Sequence, residues 1–226
     1  MNHEILLIDK PSGMSSFGVV ARVRRILTQE AGHKVKVGHA GTLDPFATGL
    51  LVILTGKDTK RATEFLKLDK CYEATICLGK ISTTGDPEGE ITDASCVSAI
   101  DFEPPSQSTI QTILKKFTGK ITQCVPNFSA VKINGQRAYK LAREGKKVEM
   151  PMREIEIYQL DLIDYKWPYL KIFCHVSSGT YIRTLGEDIG KALGVNGYLT
   201  ELRRTQIGDF NIKNATPLDT WMKNRS

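Results

Sequence analysis

The stretch "HAGTLDPFATGLL", residues 39–51, sets a single acid, Asp44, in a tightly specified loop. Pro45 follows it directly and biases Asp44 toward an extended backbone. Gly41 and Gly49 bracket the acid, and each tolerates backbone angles closed to other residues. The apolar run "LLVIL", residues 50–54, then reads as a buried strand. The pattern holds one carboxylate at the mouth of a core strand. On the loop alone, Asp44 reads equally well as an Asx-turn residue before proline.

Upstream, residues 15–28 read as a helix capped by Ser15 or Ser16, with Val19, Val20, Val23, Ile26 and Leu27 on its apolar face. Arg22, Arg24 and Arg25 fall mostly elsewhere on it. Downstream, Asp58 or Thr59 starts a second short helix with Phe65 and Leu66 turned inward. "CYEATICLG", residues 71–79, alternates and places Tyr72, Ala74, Ile76 and Leu78 on one side of a strand. "TTGDPEGEI", residues 83–91, is turn chemistry. Ile110, Ile113, Leu114 and Phe117 mark a helix ended by Gly119.

A polar, basic segment follows over residues 124–151, with a short helix before Gly145. Two β-rich runs, "REIEIYQLDLIDY" and "YLKIFCHV", lead into "SSGTYIRTLGEDIGKALG", where Ile182, Leu185, Ile189 and Leu193 are helix-spaced. No regular βαβ cadence emerges. The expectation is an α+β fold with a mixed, largely antiparallel central sheet flanked by helices, in a single domain over residues 1–226.

Composition narrows the function classes. Hydrophobic residues at 41% and charged residues at 25% suit a soluble globule. No apolar run is long enough to span a bilayer, and the start "MNHEILLIDKP" lacks a signal-peptide pattern, so a cytoplasmic location without membrane attachment is expected. Five cysteines without a CxxC pair, and four histidines without ligand spacing, support neither metal nor disulfide chemistry. The net charge of +6 collects in "ARVRRIL", "KDTKRATEFLKLDK", "GQRAYKLAREGKK" and "LRRT". That balance favours a polyanionic partner, nucleic acid ahead of membrane; a merely solvated basic face is the alternative.

"LTGKDT" has Asp58 where a P-loop needs Ser or Thr, and G-x-S-x-G, H-E-x-x-H and G-x-G-x-x-G are absent. A lone catalytic carboxylate works ionised, as nucleophile or base. Burial raises its pKa and a neighbouring arginine lowers it, so a pocketed Asp44 calls for a permanent cation. Arg183, at the strand-to-helix junction of "SSGTYIRT", is the best supplier.

"GHAGTLDPFATGLL" resembles the signature loop of the TruB family of tRNA pseudouridine synthases. The likeness continues through "LIDKPSGMSS", "DKCYEATICLG", "GDPEGEI", "PNFSAVKINGQRAYKLAREG", "SSGTYIRTLGEDIG" and "LRRTQIGDF", in the family's order and over essentially the whole chain. The resemblance implies the pseudouridine synthase fold. It also implies isomerisation of uridine-55 in the TΨC loop of tRNA, without cofactor or metal, with Asp44 as the nucleophile on a flipped-out uridine. Attack at C6 of the base and at C1′ of the ribose both stay open.

The resemblance further implies that Tyr72 packs on the uracil and helps move the C5 proton, that Tyr181 lies against the substrate, and that Leu202 walls the uracil pocket. It gives His39 the part of entering the vacated base stack. Each has a plainer alternative: a half-buried strand aromatic, a residue beneath a helix start, a core leucine, a polar turn residue. Lys10 resembles a lysine that buttresses the cleft, or is a solvated surface charge. The segment 124–151 resembles an insertion that grips the RNA loop as a mobile lid. Bacterial members usually continue into an RNA-binding PUA domain, which the chain is expected to lack. A monomer acting on the TΨC stem-loop without guide RNA is the implied state. A tRNA-binding and folding chaperone without turnover is the rival reading.

Overall fold

The computed structural model describes residues 4–94, 102–133, 135–146 and 148–225. The chain divides into two compact units, residues 1–73 with 201–226 and residues 74–200.

The first unit opens with β1 (Ile5–Lys10), α1 (Ser16–Ala31), β2 (Val37–His39) and β3 (Thr48–Thr55). A 3₁₀ segment, Gly56–Arg61, then leads into α2 (Ala62–Leu66). Helix α1 begins where the sequence placed it: the Ser15 side chain accepts from the Gly18 amide, and Gly32, at φ +68°, closes the other end. Strands β1 and β3 pair antiparallel, with Ile8 opposite Leu51 and Lys10 opposite Gly49.

The "LLVIL" run is continuous because β3 is buried on both faces. Leu51 and Ile53 face Val19, Val20 and Val23 of α1, with Leu218 and Trp221 in the same cluster. Leu50, Val52 and Leu54 face Ala40, Phe65 and Ile207 on the other side. Each such side chain contributes roughly 1.5–3 kcal/mol of transfer free energy. Phe65 is buried as expected, whereas Leu66 is 45% exposed. The 3₁₀ turns of residues 56–61 delay the α-helix to Ala62. The short helix that results turns Phe65 inward and leaves its neighbour, about 100° around the axis, in solvent.

Strand β4 (Lys70–Leu78) carries the chain into the second unit. There follow β5 (Lys80–Ser82), β6 (Ile91–Asp93), α3 (Gln107–Phe117), β7 (Gly119–Cys124), β8 (Lys132–Ile133), β9 (Gln136–Arg137), α4 (Ala138–Arg143), β10 (Met152–Lys166), β11 (Tyr169–Val176) and α5 (Ile182–Ala192). The strand order is β4-β11-β10-β7, and β10 pairs antiparallel with both neighbours. Helix α3 is capped by Ser106 and buries Ile110 and Leu114. The segment 124–151 contains the β8–β9 hairpin and α4. It is better anchored than its polarity suggests, since Val125, Ala138 and Leu141 are buried. Asn134, of the Asn-Gly pair at 134–135, and Cys96 lie outside the described residues.

Strand β12 (Gly197–Ile207) returns the chain to the first unit, which ends with β13 (Phe210–Asn211), β14 (Thr216–Pro217) and α6 (Leu218–Lys223). The first unit's strand order is β14-β1-β3-β12, with β1–β14 and β3–β12 parallel. The fold is α+β on a mixed, mostly antiparallel sheet.

Candidate active site

The loop carrying Asp44 runs from β2 to β3 within the first unit. Its backbone carbonyls are accounted for one after another. Those of Gly41 and Thr42 accept from the Arg204 guanidinium at 3.0 and 3.5 Å. That of Leu43 accepts from Ser16 Oγ at 3.0 Å, while Ser16 Oγ accepts from the Leu43 amide at 2.8 Å. The Asp44 carbonyl takes the Ala47 amide at 3.1 Å, closing a turn. The Pro45 carbonyl takes Lys10 Nζ at 3.1 Å and the Gly13 amide at 2.9 Å. The Phe46 carbonyl takes Ser12 Oγ at 2.9 Å. Apart from the turn at Asp44, every donor comes from β1, α1, the segment between them, or β12. Such a loop cannot drift without breaking long-range bonds, which is the requirement for fixing a reacting carboxylate. Asp44 itself is partly exposed.

Two residues outside the opening motif carry much of this frame. Lys10 is fully buried, not a solvated charge, and its ammonium also donates to the carbonyls of Pro11 at 2.8 Å and Met14 at 2.6 Å. Arg204 is 1% exposed and donates through Nε to the Leu50 carbonyl at 2.8 Å, beside its bonds to the loop. The "LRRT" cluster is therefore no outward basic patch. Arg204 turns into the core, and Arg203 pairs with Asp9 at 2.7 Å. Lys70, from another basic cluster, is buried too and donates to the carbonyls of Leu66 and Leu68. Burial and the charge of Arg204 push its pKa down to about 8.

Gly49 is required by a close approach. It sits at φ +103° in register with Arg204, and a Cβ there would lie 2.3 Å from the Arg204 carbonyl oxygen. The first unit also holds His39, Tyr72 and Leu202, the last two each 7% exposed. His39 ends β2, its Nδ1 is buried without a hydrogen-bond partner, and burial, with the Arg204 charge, lowers its pKa.

Tyr181 and Arg183 belong to the second unit. Gln123, 2% exposed, grips the Tyr181 backbone with both ends of its amide: Oε1 accepts from the amide at 2.8 Å and Nε2 donates to the carbonyl at 3.0 Å. Arg183, in the first turn of α5, is 5% exposed. Its guanidinium donates to the Thr84 carbonyl at 3.0 Å, to Asp86 Oδ2 at 3.1 Å and to the Phe128 carbonyl at 2.7 Å. The other oxygen of Asp86 accepts from Thr84 Oγ1 at 2.5 Å and from the Glu88 amide at 3.0 Å.

Asp86 and Gln123 escaped the sequence reading. Gln123 left no signal. Asp86 did: it precedes a proline and is flanked by Gly85 and Gly89, the same grammar as the Asp44 loop.

Comparison with known proteins identifies the family and the fold. Residues 24–182 match the N-terminal domain of the TruB family pseudouridylate synthases, and residues 183–223 match the tRNA pseudouridylate synthase B C-terminal domain. The chain is 41% identical over 224 residues to the tRNA pseudouridine synthase B of Corynebacterium glutamicum, covering 97% of this chain and 72% of that protein. To the tRNA pseudouridine synthase B of Desulfotalea psychrophila it is 46% identical over 217 residues, covering 93% and 84%. Among solved structures, a chain of a Cbf5-Nop10-Gar1 complex superposes with a TM-score of 0.73 at 28% identity, over 97% of this chain and 53% of that one. The fold is that of the pseudouridine synthases, and the chain belongs to the TruB family of pseudouridylate synthases.

Proposed function

We propose that this protein isomerises uridine-55 in the TΨC loop of tRNA to pseudouridine, with Asp44 as nucleophile on a flipped-out uridine. In that reaction the bond from N1 to C1′ breaks, the uracil turns, and C5 bonds to C1′. C5 loses a proton and N1 gains one, so no mass changes. The observation that carries the reading is the Asp44 loop, whose six consecutive carbonyls from Gly41 to Phe46 are each held by a hydrogen bond.

The other residues take roles their surroundings support. Arg183 serves as the permanent cation that keeps Asp44 ionised, and Asp86 and two carbonyls orient its guanidinium. Tyr72 packs on the uracil and assists the C5 proton, and buried Leu202 forms an apolar wall. Tyr181, its backbone clamped by Gln123, lies against the substrate. His39 fills the stack left by the extruded base. A histidine kept neutral by burial suits stacking, worth about 1–3 kcal/mol, better than acid–base work. The segment 124–151 grips the RNA loop.

The protein acts as a monomer in the cytoplasm without guide RNA. Identities of 41–46% to tRNA pseudouridine synthase B proteins support tRNA as the substrate. Among the described residues, no helix is long and apolar enough to cross a membrane.

The test is incubation of pure protein with an unmodified TΨC stem-loop, read with a pseudouridine-specific chemical label. Mass-silent conversion of one uridine is expected. Tight binding without conversion would instead favour the chaperone reading.

A further inference from the structure

A second cationic site lies in the first unit, away from the Asp44 loop. A cleft of about 620 Å³ opens between the end of α1, the start of β2 and the 3₁₀ segment after β3. Lys34, Lys36 and Lys60 reach it from two separate stretches of chain, together with Arg225, Glu4 and Glu30. Both carboxylates are occupied, since Arg225 pairs with Glu4 at 3.6 Å and Glu30 at 3.0 Å. The three lysines are exposed and have no ion pair among the described residues. Like charges gathered in one cleft repel, and a bound polyanion offsets that.

The cleft is also connected to the candidate site. The Gly56 amide donates to the Lys36 carbonyl at 2.8 Å, fixing the 3₁₀ segment beside Lys36. From Lys36 the chain runs straight along β2 to His39. Among the described residues, strand β2 pairs only with β3, so it is an edge. Three residues of strand span roughly 10 Å.

We propose that this cleft holds the phosphate backbone of the RNA strand adjoining the nucleotides at His39, with Lys34, Lys36 and Lys60 gripping it. The inference rests on the tRNA reading above and adds to it a binding surface outside the base pocket. Exposed lysines on flexible stems suit a run of phosphates better than one bound anion. The cleft's volume exceeds what a single phosphate fills.

The test is a salt titration of whole unmodified tRNA binding, with Lys34→Ala/Lys36→Ala/Lys60→Ala against wild type. Every phosphate that a lysine no longer neutralises lowers the slope of log K against log salt by about 0.7–0.9. The expected fall is therefore about two in that slope, with at least a roughly tenfold weaker Kd near physiological salt. Replacing the same three lysines with arginine restores both. An unchanged slope in the alanine variant overturns the inference, and so does an arginine variant that behaves like alanine.

The two readings fail separately. If wild type converts uridine while the slopes coincide, the cleft is refuted and the function stands. If the slopes differ but no uridine is converted, the role of the cleft in RNA binding stands and the isomerase assignment falls.

Discussion

Two loops of this chain share one grammar, an Asp-Pro pair between glycines, and put it to opposite uses. Around Asp44-Pro45, long-range donors converge on backbone carbonyls, and the loop is immobilised from Gly41 to Phe46. Around Asp86-Pro87, the bonds converge on the carboxylate itself, which is 3% exposed and takes Thr84, the Glu88 amide and Arg183. The first loop holds an acid in place by its main chain. The second uses its acid to position an arginine. Local sequence gives both the same extended aspartate before proline; what differs is which donors the rest of each unit delivers.

The sharpest way to break the comparison is to neutralise each acid. Asp44→Asn should lower turnover on the TΨC stem-loop more than about a thousand-fold, since it removes the nucleophile. RNA affinity should stay within a few-fold and the thermal midpoint within a few degrees. Full turnover by that variant would refute the assignment.

Asp86→Asn should cost stability first, and turnover with it, because the Arg183 guanidinium loses a partner that orients it. Breaking a buried pair leaves an uncompensated guanidinium and costs about 3–5 kcal/mol. At roughly 2–4 °C per kcal/mol for a chain of this size, the melting point should fall by about 6–20 °C. Arg183→Lys, which keeps the charge but loses the planar fork, should slow kcat more than it weakens binding. If only affinity changed, the role of holding Asp44 ionised would be wrong.

Two smaller effects sharpen the account of the first loop. Ser16→Ala removes both bonds to Leu43, at about 1–3 kcal/mol for the two backbone groups left unpaired. The urea midpoint should drop accordingly, with kcat reduced and KM little changed. The weakest effect is a pH dependence. The folded state lowers the pKa of His39 through burial and the Arg204 charge. The unfolded chain therefore binds more protons near and below the free-imidazole value of about 6.5, so stability falls as pH drops through that region and not above it. Urea midpoints at about pH 5.5 and 7.5 should differ less in His39→Asn than in wild type. An equal difference would show that other groups carry it.

Much of this was legible in one dimension. The Ser15 cap, the apolar face of α1, the run of β3 and the position of Arg183 at the start of α5 are local patterns of period and capping, and the coordinates match them. Leu66 went the wrong way because a 3₁₀ turn changes helical phase without changing composition. Lys70 and Arg204 counted among the basic clusters, and Lys10 stayed open between cleft buttress and surface charge, because a buried cation and a solvated one are the same letter. Their partners are main-chain carbonyls, which every residue has.

What the sequence determined by itself was the α+β class, the loop that presents Asp44, and the polyanionic leaning of the chain, all set by spacing and residue type. Tertiary structure decided which cations stay in solvent and which serve the frame. A carbonyl finds its cation only when strands far apart in the chain come side by side, as Arg204 does with Gly41 across 163 residues.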